Sequence, residues 1–100
     1  MSYSLNTTVI SPSSNKEPEN ALILCHGYGG DGKDISVLAN YWKTYLPKTL
    51  FICPDGPEKC KVSPTGYQWF DLSEQTPEEI LTKSLVAELK LNNLIDEVKE

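Results

Sequence analysis

The chain has 100 residues, 39% of them hydrophobic and 23% charged, with a formal net charge of −5. That is the composition of a globular chain at the size of one small domain, not of a disordered one. The acidic balance argues against a general nucleic-acid or anionic-membrane binder, which needs a basic face, and no apolar run approaches the ~18 residues that span a bilayer.

Ser2 to Ser11 alternates Tyr3, Leu5, Thr7 and Val9 with Ser4, Asn6 and Thr8. A period of two among β-forming residues predicts a half-buried strand near a sheet edge. Ser11 to Asn20 is polar and rich in turn-forming residues. Met1 to Asn20 shows no basic segment followed by an apolar core, so no secretory leader is expected and the cytoplasm is the expected compartment. Ala21 to Cys25 is a continuous apolar run, as in a strand covered on both faces of a parallel sheet.

The run breaks into His26-Gly27-Tyr28-Gly29-Gly30-Asp31-Gly32. Asp34 is then positioned to cap a helix whose apolar stripe is Ile35, Leu38, Ala39, Trp42, Tyr45 and Leu46. Pro47 ends it, and Thr49 to Cys53 reads as a second buried strand closed by Pro54-Asp55-Gly56-Pro57. Strand, helix, strand makes a βαβ unit, with its two strands parallel.

Glu58 to Leu72 reads as irregular but gathers Tyr67, Trp69 and Phe70. Thr76-Pro77-Glu78-Glu79 opens a long helix: Thr76 as N-cap, Pro77 at the first helical position, and Glu79 completing a capping box. Its expected buried stripe is Ile80, Ala87, Leu91, Leu94, Ile95 and Val98. The pattern runs to Glu100 without a Gly, Asn or Pro to close it. Alternation of elements then calls for a further buried strand, so residues 1–100 are expected to be an incomplete α/β domain, the front part of a larger one.

Cys25, Cys53 and Cys60 give an odd count without paired metal spacing. Cys25 and Cys53 end apolar runs and are expected as reduced, core-like thiols, whereas Cys60, in a polar loop, is expected to be the most accessible.

Three readings of the glycine loop are open on the residues alone. Gly27-x-Gly29-x-x-Gly32 satisfies the literal dinucleotide pattern, with Asp55 near the end of the next strand. A nucleotide-binding module using Gly27 to Gly32 is therefore the alternative reading. Against it stand Asp31, whose charge opposes a pyrophosphate, and the stripe beginning only at Ile35, which makes Gly32 look like loop rather than helix. A His-Gly-x-Gly turn after a strand can instead aim a backbone N–H into a cleft as half of an oxyanion hole. The third reading is a glycine-rich turn and nothing more.

The segments His26 to Asp34, Pro54 to Glu58 and Gly66 to Asp71 occur in order and in register. Together they resemble the N-terminal half of the phospholipase/carboxylesterase family, serine hydrolases that include carboxylesterases and acyl-protein thioesterases. The resemblance implies a truncated α/β-hydrolase fold, comprising the N-terminal strands and first helices of a mostly parallel sheet. It also implies action on a small-molecule ester or thioester without metal or organic cofactor. On that resemblance the backbone N–H of Tyr28 is the oxyanion donor, and Gly27, Gly29, Trp69 and Phe70 lie on the substrate side. His26 and Asp71 are structural neighbours of the site. Asp55-Gly56 departs from the residues common in the family, with little consequence expected. No Gly-x-Ser-x-Gly elbow occurs, and Ser63 and Ser73 are loop serines. Nucleophile, acid and base are therefore expected after Glu100, in the order Ser, Asp or Glu, His, and residues 1–100 alone are expected to be inactive.

Overall fold

Three strands, β1 (Thr7–Ile10), β2 (Asn20–Ile23) and β3 (Thr49–Pro54), form a sheet of order β1-β3-β2 in the computed structural model, which describes residues 3–63, 65–71 and 76–99. Ser2, Leu72, Ser73 and Glu100 lie outside the described residues. β2 and β3 are parallel, with Ala21 opposite Leu50 and Ile23 opposite Ile52. Helix α1 (Gly32–Trp42) connects them, as the βαβ pattern predicts. β1 runs antiparallel to β3 from Thr7 opposite Pro54 to Ile10 opposite Phe51, so the sheet described is mixed rather than mostly parallel.

β3 is the axis of the core because alternate side chains face opposite helices. Phe51 and Cys53 are buried against Ala39, with Ile35, Ile10, Leu22 and Leu24 around them. Ile52 is buried on the other face with Leu5 and Leu94. Leu94 belongs to α2 (Pro77–Lys99), so the sheet lies between the two helices. Burying each large side chain of β3 stabilises the fold by about 1.5–3 kcal/mol. α2 starts as its sequence predicts: Thr76 Oγ accepts the Glu79 N–H at 3.2 Å and donates to the Glu79 carboxylate at 3.1 Å.

Several expectations shift. β1 is shorter than the alternation from Ser2 to Ser11; its ladder stops at Pro54, while Leu5 turns into the α2 cluster. β2 is half-buried to exposed, since β3 is its only partner among the described residues. On α1 the buried positions are Gly32, Ser36 and Ala39, while Leu38 and Trp42 stay largely exposed. Gly32 sets this: a Cβ there would lie 2.0 Å from the Cys53 carbonyl oxygen, and so close an approach puts the small residues of the helix against the sheet. The helix ends at Trp42, whose carbonyl accepts the N–H of both Tyr45 and Leu46 in a turn before Pro47.

The segment expected to be irregular contains a two-stranded hairpin, β4 (Glu58–Lys59) and β5 (Tyr67–Gln68). The hairpin also reverses the cysteine expectation. Cys60 is buried where its N–H donates to the Gly66 carbonyl, and Cys25 is exposed just past β2. Partial burial of the thiol still pushes the Cys25 pKa above its ordinary value. In α2, Ala87 and Leu94 are buried and Leu91 and Val98 partly so, but Ile80 lies largely in solvent. No helix among the described residues is long and apolar enough to cross a membrane.

Candidate active site

The glycine turn leaves the carboxyl end of β2 beside the carboxyl end of β3, where an α/β sheet receives its ligands. Its shape is set by hydrogen bonds to three neighbours. Gly30 N–H donates to the Gly27 carbonyl at 3.1 Å, closing a tight turn around Tyr28 and Gly29. Gly29 sits at φ +85°, the left-handed region open to glycine. β5 then grips the turn twice: Gly29 N–H donates to the Tyr67 carbonyl at 3.0 Å, and Tyr67 N–H to the Gly30 carbonyl at 2.8 Å. Gly66 makes that contact possible, since a Cβ on it would lie 2.0 Å from the Gly29 carbonyl oxygen.

His26 holds the first end of the turn. Its Nε2 accepts the Gly56 N–H at 2.8 Å, and its Nδ1 lies 2.6 Å from the Gly27 carbonyl. An acceptor at Nε2 assigns the proton to Nδ1, so the ring is a neutral bridge between two backbone groups. Trp69 stacks on it at 5.3 Å between ring centroids and donates its indole N–H to the His26 carbonyl at 3.0 Å. His26 is buried, and both ring nitrogens face backbone. Its ring thereby links the Gly27 end of the turn to Gly56 at the end of β3.

The far end of the turn enters α1. Asp31, not Asp34, is the N-cap: its carboxylate accepts the Asp34 N–H at 2.7 Å. Gly32 is the first helical residue and packs against β3, so its expected place in the loop is corrected. Gly32 thus fills the close-packing role that the dinucleotide pattern requires, yet that reading gains no support. The buried Gly32 N–H donates to Asp55 Oδ1 at 2.8 Å. With Asp31 on Asp34, two carboxylates of the chain already occupy the first turn of α1, where a phosphate would have to sit.

The aromatic residues lie beside this turn. Trp69 lines two clefts. One of about 230 Å³ also includes Phe70, Asp71, Val86 and Lys90; the other, of about 310 Å³, includes Cys25, His26, Ala87 and Leu91. Neither lining includes Gly27 to Gly30. Asp71 accepts from Lys61 Nζ at 2.7 Å through its carboxylate and from Lys83 Nζ at 3.4 Å through its carbonyl, tying the hairpin loop to α2. That hydrogen bond and the carboxylate charge raise the Lys61 ammonium above its ordinary range. Tyr28 is substantially exposed, at 40%. A Cβ on Gly27 would meet nothing within 4 Å among the described residues, so the space over that residue is open. No group of His, Cys, Asp and Glu among the described residues could hold a metal ion.

The sequence places Asp55 and Gly66 in recognisable segments but assigns neither a role at the turn, and the little consequence expected of Asp55-Gly56 is corrected by the Asp55 contact to Gly32. A glycine beginning an aromatic strand and an acid directly after a buried strand were the available signals. Neither declares its partner without the fold.

A family model described as phospholipase/carboxylesterase matches residues 5–100. Among solved structures, the chain is similar to one described as the crystal structure of esterase PE8, with a TM-score of 0.82 and 29% sequence identity. The match covers 94% of this chain and 44% of that one, so the chain spans less than half the length of the esterase it matches.

Proposed function

The chain belongs to the phospholipase/carboxylesterase family and carries an α/β-hydrolase fold truncated relative to the esterase it matches; from that premise we propose that it supplies the oxyanion-donating half of a site hydrolysing a small-molecule carboxylic ester or thioester. In acyl transfer a serine oxygen attacks the carbonyl carbon, and the carbonyl oxygen takes on negative charge before the leaving group departs. The backbone N–H of Tyr28 is the donor we assign to that oxygen. Gly29 and Gly30, its neighbours, spend their N–H groups on Tyr67 and Gly27 and thereby hold the turn. Open space over Gly27 lets a substrate approach the backbone, and Gly29 supplies the positive φ that the turn needs. A donor fixed before the reaction is worth about 3–4 kcal/mol of transition-state stabilisation.

Trp69 and Phe70 supply the apolar wall for the acyl group, at clefts shared with Val86, Ala87 and Leu91. His26 and Asp71 shape the site without entering the chemistry. The nucleophile, acid and base belong to residues beyond Glu100 in a longer form of the chain, and the reading needs no metal or organic cofactor. A cytoplasmic location belongs to the same proposal, supported by three free thiols, Cys25, Cys53 and Cys60.

The observation that carries the reading is the glycine turn at the carboxyl ends of two parallel strands, pinned by hydrogen bonds, within a chain of this family. The test is hydrolysis of p-nitrophenyl acetate by the 100-residue chain, measured against a heat-denatured control. No turnover above the control is expected, and a longer form should label with a fluorophosphonate at a serine beyond residue 100. Turnover by the short chain that His26→Ala abolishes and cysteine substitution spares would contradict the proposal.

A further inference from the structure

Asp55 is 8% exposed and takes no part in the chemistry proposed above. Its two carboxylate oxygens are both occupied, one by the Gly32 N–H at 2.8 Å and the other by the Asn6 side-chain amide at 2.8 Å. Its own N–H donates to the Asn6 carbonyl at 2.7 Å, so Asn6 grips the residue by backbone and side chain together. The two ion pairs among the described residues lie elsewhere, at Lys48–Glu19 and Lys61–Asp71. The charge of Asp55 is met by the amino end of α1, whose first N–H points at it. The next residue, Gly56, donates its N–H to His26 Nε2 at the opposite end of the glycine turn. Two consecutive residues leaving β3 therefore hold both ends of Gly27 to Gly32.

We propose that Asp55 is a positioning residue for the glycine turn: its carboxylate, oriented by Asn6, anchors Gly32 and so fixes the end of the turn that enters α1. The purpose of this anchor rests on the reading of the turn as an oxyanion donor; the anchoring does not. With Gly32 N–H committed to Asp55 and His26 bridging Gly27 to Gly56, the turn has no slack at either end. These contacts, which lie within residues 6–69, then orient the peptide between Gly27 and Tyr28.

Amide hydrogen exchange of the full chain, resolved residue by residue, tests this for Asp55→Ala, Asp55→Asn and Asn6→Ala. Asp55→Ala leaves the Gly32 N–H buried without its acceptor, and exchange at Gly32 and across residues 27–31 should rise by at least about tenfold. Leu91 and Leu94 in α2 should move far less. Asp55→Asn keeps a carbonyl oxygen for Gly32 and should restore most of the protection, while Asn6→Ala, which frees only the second oxygen, should give an intermediate rise at Gly32. Uniform acceleration of turn and α2 alike would assign Asp55 to global stability and overturn the proposal, as would unchanged exchange at Gly32. If Asp55→Ala does not fold, the other two variants decide: wild-type exchange at Gly32 in both overturns the proposal. Exchange requires no turnover, so a failed ester assay leaves this result standing and a failed anchor leaves the hydrolase reading to its own assay.

Discussion

At the glycine turn, Gly27 O, Gly29 N, Gly30 N and O, and Gly32 N each have a hydrogen-bond partner, drawn from His26, Tyr67, Asp55 or the turn itself. Along α2, by contrast, 23 residues present two buried side chains, Ala87 and Leu94, and leave Leu81, Leu85 and Leu89 in solvent. The turn is specified by directional bonds and by steric exclusion of any Cβ at Gly32 and Gly66. The helix is specified by its cap, its periodicity and a few apolar contacts. A shape held by directional bonds tolerates little error, whereas a helix that only covers a sheet tolerates much.

Substitutions should expose that difference. Gly32→Ala places a methyl group 2.0 Å from the Cys53 carbonyl oxygen and 2.8 Å from its carbon, which are backbone atoms in the central strand. It is expected to cost about 4 kcal/mol or more, enough to abolish cooperative urea unfolding. Leu94→Ala, which empties the place where α2 packs on Leu5 and Ile52, should lower stability by about 3 kcal/mol. Leu89→Ala on the same helix, at 64% exposure, should stay within about 0.5 kcal/mol. If Leu94 proved as tolerant as Leu89, α2 would not be docked as described.

Within the turn the same contrast recurs at smaller scale. Gly29→Ala forces a side chain into φ +85° and should cost about 1–2 kcal/mol, while Gly27→Ala, with open space around it, should stay within about 0.5 kcal/mol by urea midpoint. Trp69→Phe keeps an aromatic ring beside His26 but removes the indole donor to its carbonyl; about 1 kcal/mol is expected.

The smallest effect is set by pH. Burial first, and the neighbouring Cys25 charge second, raise the Cys53 thiol above its ordinary value. A folded-state value raised in this way favours the folded protein below the ordinary thiol range, and the contribution is lost as pH rises through the raised value. The urea midpoint should therefore fall as pH rises through and above the ordinary thiol range. Cys53→Ala should flatten that fall.

The periodic parts of the fold were legible in the sequence because each carries its own signal. The Thr76 cap, the parallel pair around α1 and the apolar strand read over Thr49 to Cys53 follow from spacing and local chemistry. What escaped depends on partners that the local pattern does not declare. Cys60 is buried because Gly66 pairs with it across a hairpin, and Asp55 matters because Gly32 and Asn6 converge on it. The rotation of α1 follows from the closeness of Gly32 to β3, which no hydrophobic stripe records. The residues of the glycine turn were recognisable as a group, but their bonding was not, since a glycine carries no side chain to announce its contacts.

Amide exchange in the unsubstituted chain measures most directly whether the turn is preset by the chain's own contacts. The N–H groups of Gly29, Gly30, Gly32, Gly56 and Tyr67 should be protected to within about an order of magnitude of Phe51 and Ile52 in β3. Protection in β3 alongside open-loop exchange at those five amides would contradict a preset turn.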